Sequence, residues 1–105
     1  MPSKNIVRTD LNHLRKLYRS IRLFEAALVD GGGHPLPEQL SKLQAKRDKI
    51  LERYSEGINA LSPEKSLIFT LYYRQGLTQA QTAKKTNYCK SSITKHLSAI
   101  IEKLK

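Results

Sequence analysis

The sequence predicts an all-α protein, in which an antiparallel helical hairpin is followed by three shorter helices. Three observations support this prediction. Apolar residues recur every three or four positions through most of the chain. Serine, threonine and proline stand where helices are expected to start, and no segment keeps the two-residue alternation of a strand. The 105 residues, 39% of them hydrophobic, suffice for one modest core.

The first 59 residues are expected to form the hairpin, with helices over about 10–29 and 37–59 and a glycine-rich connector over 30–36. Thr9 or Asp10 is the expected cap of the first helix. Its apolar stripe comprises Leu11, Leu14, Tyr18, Ile21, Phe24 and Leu28. The stripe of the second helix comprises Leu40, Leu43, Arg47, Ile50, Tyr54 and Ile58. This second stripe is close to a heptad, so it has two interpretations: packing within the chain, which we favour, or a seam for a homodimer or another partner.

Residues 60–105 are expected to hold three helices. The first begins with a capping serine and a first-turn proline, Ser62 and Pro63, and ends before Gly76. Its predicted core residues are Leu67, Ile68, Leu71 and Tyr72. Tyr73 is expected outside the core, where it can approach a phosphate.

The last two helices have the dimensions of a helix-turn-helix: a short helix, a four-residue turn and a longer helix. Thr78 and Gln81 have the spacing of a capping box, which places the short helix over 79–86. Asn87 tolerates the left-handed backbone that a tight turn requires. The longer helix is expected from Lys90 onward. Its buried face comprises Ile93, Leu97, Ile100 and Leu104. Such a joint presents the longer helix to the major groove of DNA.

The polar face of the longer helix predicts DNA contacts, because small hydroxyls and a lysine suit base edges and phosphates. The candidate base-reading residues are Ser91, Ser92, Lys95 and Ser98. The candidate residues for the DNA backbone are Arg74, Thr78, Lys84, Lys85, Lys90 and Thr94. The alternative is a plain solvated helix face. Such a face usually carries more glutamate and glutamine, and only Glu102 fits it here.

The charge distribution is consistent with a polyanionic partner. Lys and Arg number 19 against nine Asp and Glu, a net charge of +10, and residues 60–105 hold eight basic and two acidic residues. DNA and anionic membranes both attract such a surface, and solubility alone is a further explanation. No apolar run approaches the length of a membrane span, and no stretch resembles a signal peptide. With a single cysteine, a soluble cytoplasmic protein with no membrane partner is expected.

No enzymatic or metal-binding arrangement is expected. His13, His34 and His96 are far apart in sequence, and with one cysteine they form no recognisable ligand set. The triglycine lacks the lysine of a phosphate loop, and Cys89 has no identifiable base. We therefore expect no catalytic residue, no metal and no cofactor.

Several positions in residues 58–105 agree in order and spacing with a known family. They are Leu61-Ser62-Pro63-Glu64-Lys65, Leu71-Tyr72-Tyr73-Arg74-Gln75-Gly76-Leu77-Thr78, Ala83, Tyr88, Ser91-Ser92-Ile93 and Leu104. The segment resembles sigma-70 region 4, especially the short sigma-region-4-like regulators of Gram-positive phages and prophages. The resemblance implies promoter-type DNA recognition by the last helix, and contact with RNA polymerase.

The sequence departs from the pattern of that family at several positions, and these departures limit the functions that the resemblance implies. Gln81-Thr82-Ala83 stands where the family usually has a glutamate, an aliphatic and a small residue, and Cys89 stands where a serine commonly caps the recognition helix. Nothing in the chain resembles a promoter-melting domain, so a complete sigma factor is not expected. The sequence predicts a DNA-binding transcriptional regulator. Two alternatives stay open: a module that docks on RNA polymerase or another protein without reading DNA, and an accessory subunit of DNA packaging or recombination.

Overall fold

A computed structural model describes residues 3–29 and 37–105, and within these ranges the chain is all-helical, as predicted. Six α-helices follow one another: α1 (Lys4–Val29), α2 (Pro37–Arg53), α3 (Ser55–Asn59), α4 (Pro63–Phe69), α5 (Gln79–Thr86) and α6 (Lys90–Leu104). Helix α4 continues directly into one π-helical turn, Thr70–Arg74, which is called the π turn below. The predicted glycine-rich connector, 30–36, lies outside the described residues.

Helix α1 starts earlier than the sequence suggested. The predicted start near Asp10 is wrong, because α1 begins at Lys4. The Ser3 hydroxyl accepts a hydrogen bond from the Ile6 amide at 3.3 Å, as a capping side chain does. Val7 is fully buried and extends the apolar stripe by one turn. Burial of a valine side chain contributes about 1.5–3 kcal/mol, which exceeds the roughly 1 kcal/mol of an alternative cap.

Helices α1 and α2 pack side by side and run antiparallel. At one end of the pair, the Arg53 guanidinium donates to the Asp10 carboxylate at 2.9 Å, and the Tyr54 hydroxyl donates to the same oxygen. Further along, the Arg47 guanidinium lies 5.7 Å from the centre of the Tyr18 ring. Residue numbers therefore rise along one helix as they fall along the other. Burial, together with the Asp10 carboxylate, raises the pKa of Tyr54 to about 12.

The predicted second helix, 37–59, is interrupted at Tyr54, where α2 ends and α3 begins. Helical hydrogen bonds still cross the interruption, from the Tyr54 amide to Ile50 at 3.3 Å and from the Ile58 amide to Tyr54 at 2.9 Å. Ile50 and Tyr54 are both buried in the core. At these two positions the apolar stripe packs within the chain, as favoured above.

Ile68 and Leu71 are buried as predicted, but the rest of the apolar face of α4 and the π turn differs from the predicted one. Leu67, expected in the core, is half exposed, whereas Phe69 and Tyr73 are buried. The Phe69 and Tyr73 rings lie one turn apart with their centroids 5.2 Å from each other. Two packed aromatic rings bury more apolar area than a leucine, so they decide which face turns inward. The expectation that Tyr73 approaches a phosphate is therefore wrong, and Tyr72 is the partly exposed tyrosine.

One hydrophobic core joins the hairpin to the last three helices. Its fully buried residues come from α1, α4 and α6, and Phe69 at the end of α4 is almost as deeply buried. They include Val7, Leu11, Leu14, Ile68, Ile93 and Ile100. Helix α1 contacts the π turn and α6 as well as α2. Helix α1 therefore helps to fix the position of α5 and α6.

Arg15 of α1 holds the backbone that leads from the π turn to α5. Its guanidinium donates to the carbonyl oxygens of Tyr72 and Gly76, each at 3.1 Å, and of Leu77 at 2.9 Å. The same guanidinium lies 4.5 Å from the centre of the Tyr72 ring. Gly76 has a φ of +72°, in the left-handed region that favours glycine. The turn at Gly76 thus brings two consecutive carbonyls to one arginine.

Arg22, seven residues further along α1, adds a second attachment. Its guanidinium donates to the carbonyl oxygens of Gln75, at 2.8 Å, and Arg74. Carbonyls at the end of a helix have no intrahelical donor, so they need partners from elsewhere. Here the partners come from another helix, and the position of the π turn and of the loop before α5 depends on α1.

We expect Arg15→Ala to lower the free energy of unfolding by about 2–4 kcal/mol, because three carbonyl groups lose a charged donor. Arg19→Ala is the matched control, since Arg19 is exposed on the same helix; its effect should stay within about 0.5 kcal/mol. Denaturant unfolding followed by circular dichroism measures both. Equal losses for the two variants would contradict the role assigned to Arg15.

Candidate nucleic-acid interface

Helix α5 begins with the predicted capping box. The Thr78 hydroxyl accepts a hydrogen bond from the Gln81 amide at 3.1 Å, and the Gln81 side chain accepts one from the Thr78 amide at 2.9 Å. Thr82 is fully buried where the resemblance favours an aliphatic residue. Its hydroxyl donates to the Thr78 carbonyl at 2.8 Å, so burial leaves the hydroxyl paired. Thr78, a candidate for the DNA backbone, uses its oxygen for the cap and keeps its hydrogen for an acceptor such as a phosphate.

The turn between α5 and α6 has the predicted geometry. Asn87 has a φ of 62°, in the left-handed region, and α6 begins at Lys90. Cys89 occupies the N-cap with extended backbone, but its side chain makes no capping hydrogen bond. The thiol instead lies 3.1 Å from the Ser91 hydroxyl and 3.2 Å from the Ser92 hydroxyl. Hydrogen bonds from these two serines lower the pKa of Cys89 to about 7.

Three of the four candidate base-reading residues form a line along α6. Ser91, Lys95 and Ser98 are all exposed, and their spacing of four and then three residues puts them on one side of a helix. The fourth, Ser92, is half-buried beside this line. The row Ser91–Lys95–Ser98, called the α6 row below, is therefore open to a partner along its whole length.

Thr94, predicted to meet the DNA backbone, links α5 and α6 through its hydroxyl. Its hydroxyl lies within hydrogen-bond distance of two acceptors, the Gln79 side-chain oxygen at 3.0 Å and the Lys90 carbonyl at 3.2 Å. The hydroxyl hydrogen is thus engaged within the protein. Gln79 keeps its amide N–H groups as donors, so it is the member of this pair better suited to a phosphate. Sequence reasoning missed Gln79, for which the only signal is its place as the first residue of α5.

Three of the candidate cations flank the turn between α5 and α6, and the fourth lies on the π turn. Lys84 and Lys85 are exposed in the last turn of α5, and Lys90 is exposed in the first turn of α6. Arg74 is exposed on the π turn, with its guanidinium 5.8 Å from the centre of the Phe69 ring. In the part of the chain that the structure describes, none of these four cations forms an ion pair.

Negative charge is absent from the sequence of this region. No acidic residue occurs between Glu64 and Glu102. Glu102 lies near the far end of α6, with its carboxylate 3.0 Å from the Lys105 ammonium and 3.3 Å from that of Lys4. These lysines hold its pKa below the usual range. The α5–α6 surface therefore combines positive charge with polar groups, and it attracts polyanions.

No family model, curated protein or solved structure matches the chain. Function is therefore inferred from the residues themselves. Within residues 3–29 and 37–105, no group of three histidine, cysteine or acidic side chains could hold a metal ion. None of the helices in these ranges combines the length and the apolarity that crossing a bilayer requires.

We expect Cys89→Ser to raise Tm by about 2–6 °C near pH 6, because a hydroxyl at the N-cap accepts hydrogen bonds from the first turn of α6. The lowered pKa of Cys89 favours the thiolate in the folded state. Wild type should therefore gain stability as the pH rises from about 7 toward the ordinary thiol value of about 9. Thermal melting near pH 7 and near pH 9 should show that the excess in Tm of the serine variant over wild type decreases as the pH rises. A serine variant that melts below wild type near pH 6 would contradict the assignment of residue 89 as the N-cap of α6.

Proposed function

We propose that this chain is a non-enzymatic transcriptional regulator that acts in the cytoplasm and binds double-stranded DNA, with α6 in the major groove. The single observation that carries the proposal is the exposed α6 row, on a helix anchored to α5, in a stretch without acidic residues. The resemblance of residues 58–105 to sigma-70 region 4 supports the same reading. By that resemblance, the target is a promoter-type site and the regulator is of phage or prophage type.

The chemistry of the α6 row supports base reading. A lysine such as Lys95 can donate to the O6 and N7 acceptors of guanine, and serine hydroxyls such as those of Ser91 and Ser98 can both donate and accept. Their small size lets the helix backbone come close to the base edges. Cations at Lys84 and Lys90 would hold phosphates. Such contacts set the position of the protein but carry no sequence information.

The hairpin contributes by fixing where α5 and α6 lie. The hydrogen bonds from Arg15 and Arg22 attach the loop before α5 to α1, so the two helices keep their orientation when DNA binds. A preorganised surface loses less entropy on binding than a mobile one. Contact with RNA polymerase, and a homodimer formed through the hairpin, are further parts of this proposal.

A protein-docking module is the second candidate. Leu67 on α4 is half exposed, and Leu23 on α1 is 67% exposed, so apolar side chains are available to RNA polymerase or another protein outside the α6 row. An accessory subunit of DNA packaging or recombination would share the DNA contacts and differ in its partners. Sequencing of the DNA that is crosslinked to the protein in cells separates a promoter-bound regulator from such a subunit.

Binding to duplex DNA should weaken steeply with salt. If about four to six cations meet phosphates, the logarithm of the association constant should fall against the logarithm of salt with a slope of about −4 to −5. Fluorescence anisotropy with a labelled duplex, repeated over a series of salt concentrations, gives this slope. No binding at low salt, or a flat salt response, would exclude the DNA proposal and favour the docking module.

Lys95→Ala and Lys84→Ala, which remove the same charge, should behave differently. Loss of Lys95 should reduce discrimination between a selected site and its scrambled version by about 1–3 kcal/mol, because a base contact is removed. Loss of Lys84 should weaken both duplexes equally. The duplex is first selected from a random pool with the wild-type protein, and both variants are then titrated against both sequences. If the two variants show the same discrimination as wild type, Lys95 does not read bases.

A further inference from the structure

A polar cleft of about 280 Å³ lies between α1 and the α5–α6 pair. Arg8 and Asn12 of α1 form one wall, and Thr94 and Ser98 on the flank of α6 form the other, with Gln79 at the start of α5 beside them. Apolar residues of the π turn and α6 complete the lining. In this cleft the hairpin meets the flank of the proposed DNA-binding helix.

Four of the side chains that line the cleft carry hydrogen-bond donors: Arg8, Asn12, Gln79 and Ser98. Arg8 is exposed, carries a permanent positive charge and takes part in no ion pair within residues 3–29 and 37–105. The Gln79 side-chain oxygen is within hydrogen-bond distance of the Thr94 hydroxyl, which leaves the amide N–H groups of Gln79 available. Asn12 and Ser98 add a further amide and a hydroxyl. No carboxylate lines the cleft, so its chemistry suits an anion that accepts several hydrogen bonds.

We propose that this cleft binds a phosphate of the DNA backbone, with Arg8 as the principal cation, so that α1 is part of the DNA interface. The inference rests on the function proposed above. Ser98 belongs both to the α6 row and to the cleft wall, so DNA that follows the row toward the end of α6 passes Arg8. The shared chemistry is that of a phosphate oxygen. Free inorganic phosphate is the other source, and the experiment distinguishes the two.

Arg8 also follows a regular pattern along α1. Arg8, Arg15 and Arg22 are spaced by seven residues, which places them on one side of the helix. Arg15 and Arg22 donate to carbonyls of the chain itself. Arg8, the first of the three, faces a cleft, and its guanidinium is free to bind an acceptor from outside.

The test compares Arg8→Gln with Lys46→Gln, which changes the net charge equally. Lys46 is exposed on α2 and borders Phe24, about 24 Å along α1 from Arg8 at 1.5 Å per residue. Affinity for a mixed-sequence duplex is measured by fluorescence anisotropy over a series of salt concentrations. Arg8→Gln should reduce affinity about eightfold near 0.1 M salt and lower the salt slope by about 0.9, the value for one phosphate contact. Lys46→Gln should change the affinity and the salt slope by no more than a small fraction of these amounts.

Arg8→Lys keeps the charge and should retain most of the wild-type affinity, which separates loss of a cation from loss of fold. Circular dichroism confirms that each variant is folded. In a second arm, single phosphates of the duplex selected with the wild-type protein are replaced by neutral methylphosphonates, because a selected site fixes the register of binding. One replacement should weaken wild type about as much as Arg8→Gln does, and should add little to the Arg8→Gln variant.

The outcomes separate the two proposals. If wild type does not bind duplex DNA, both the proposed function and this inference are overturned. If wild type binds and Arg8→Gln behaves like Lys46→Gln, only the cleft assignment is overturned. If inorganic phosphate binds wild type but not Arg8→Gln, while duplex affinity is the same for the two proteins and no single methylphosphonate weakens it, the cleft is a site for free phosphate, and a DNA contact there is overturned.

Discussion

The charged hydrogen bonds from α1 to the backbone around residues 72–77 are the interaction on which the rest of the structure depends. A helix that ends in a loop leaves carbonyls without donors, and many proteins satisfy them with water or a local cap. Here Arg15 and Arg22 donate to five carbonyl oxygens, three at the helix end and two in the loop that follows. Both arginines belong to a helix more than fifty positions earlier in sequence. The start of α5, and through it the turn and α6, is thereby fixed relative to the hairpin.

This attachment matters because α5 is short. Its eight residues include no apolar side chain larger than alanine, and helices of this length are marginal in water on their own. The capping box, the buried Thr82 and the contacts with α6 and the π turn supply the missing stability. Excess positive charge near the turn adds self-repulsion. A rigid attachment to α1 and a continuous core offset that repulsion while the surface stays free of carboxylates.

Local signals made α5, α6 and the turn between them predictable from sequence, and tertiary packing explains where prediction failed. The cap at Thr78, the left-handed Asn87 and the starts of α5 and α6 each depend on a few adjacent residues, and all are confirmed. The start of α1 depends instead on the burial of Val7, and the face of α4 depends on which aromatic rings pack together.

In the candidate site, too, some features follow from adjacent residues and others depend on tertiary packing. The exposure of Ser91, Lys95 and Ser98 follows from helical periodicity around the buried Ile93 and Leu97, and it was predictable. The engagement of Thr94 with Gln79 arises only when α5 packs against α6. Arg8 and Ser98 come to line one cleft only when α1 packs against α6. No short-range pattern in the sequence encodes that proximity.

The shared core also bears on how the chain folds as it is synthesised. Of the six helices, α1 leaves the ribosome before the others, but Val7, Leu11 and Leu14 share their core with residues of α4 and α6. Until those later helices emerge, α1 can bury only part of its stripe against α2, and the nascent chain carries exposed apolar surface. Helix α6, which is proposed to face the DNA, is made after the other five helices. A ribosome that stalls before α6 is made therefore displays the hairpin with apolar surface exposed, the kind of intermediate that chaperones bind.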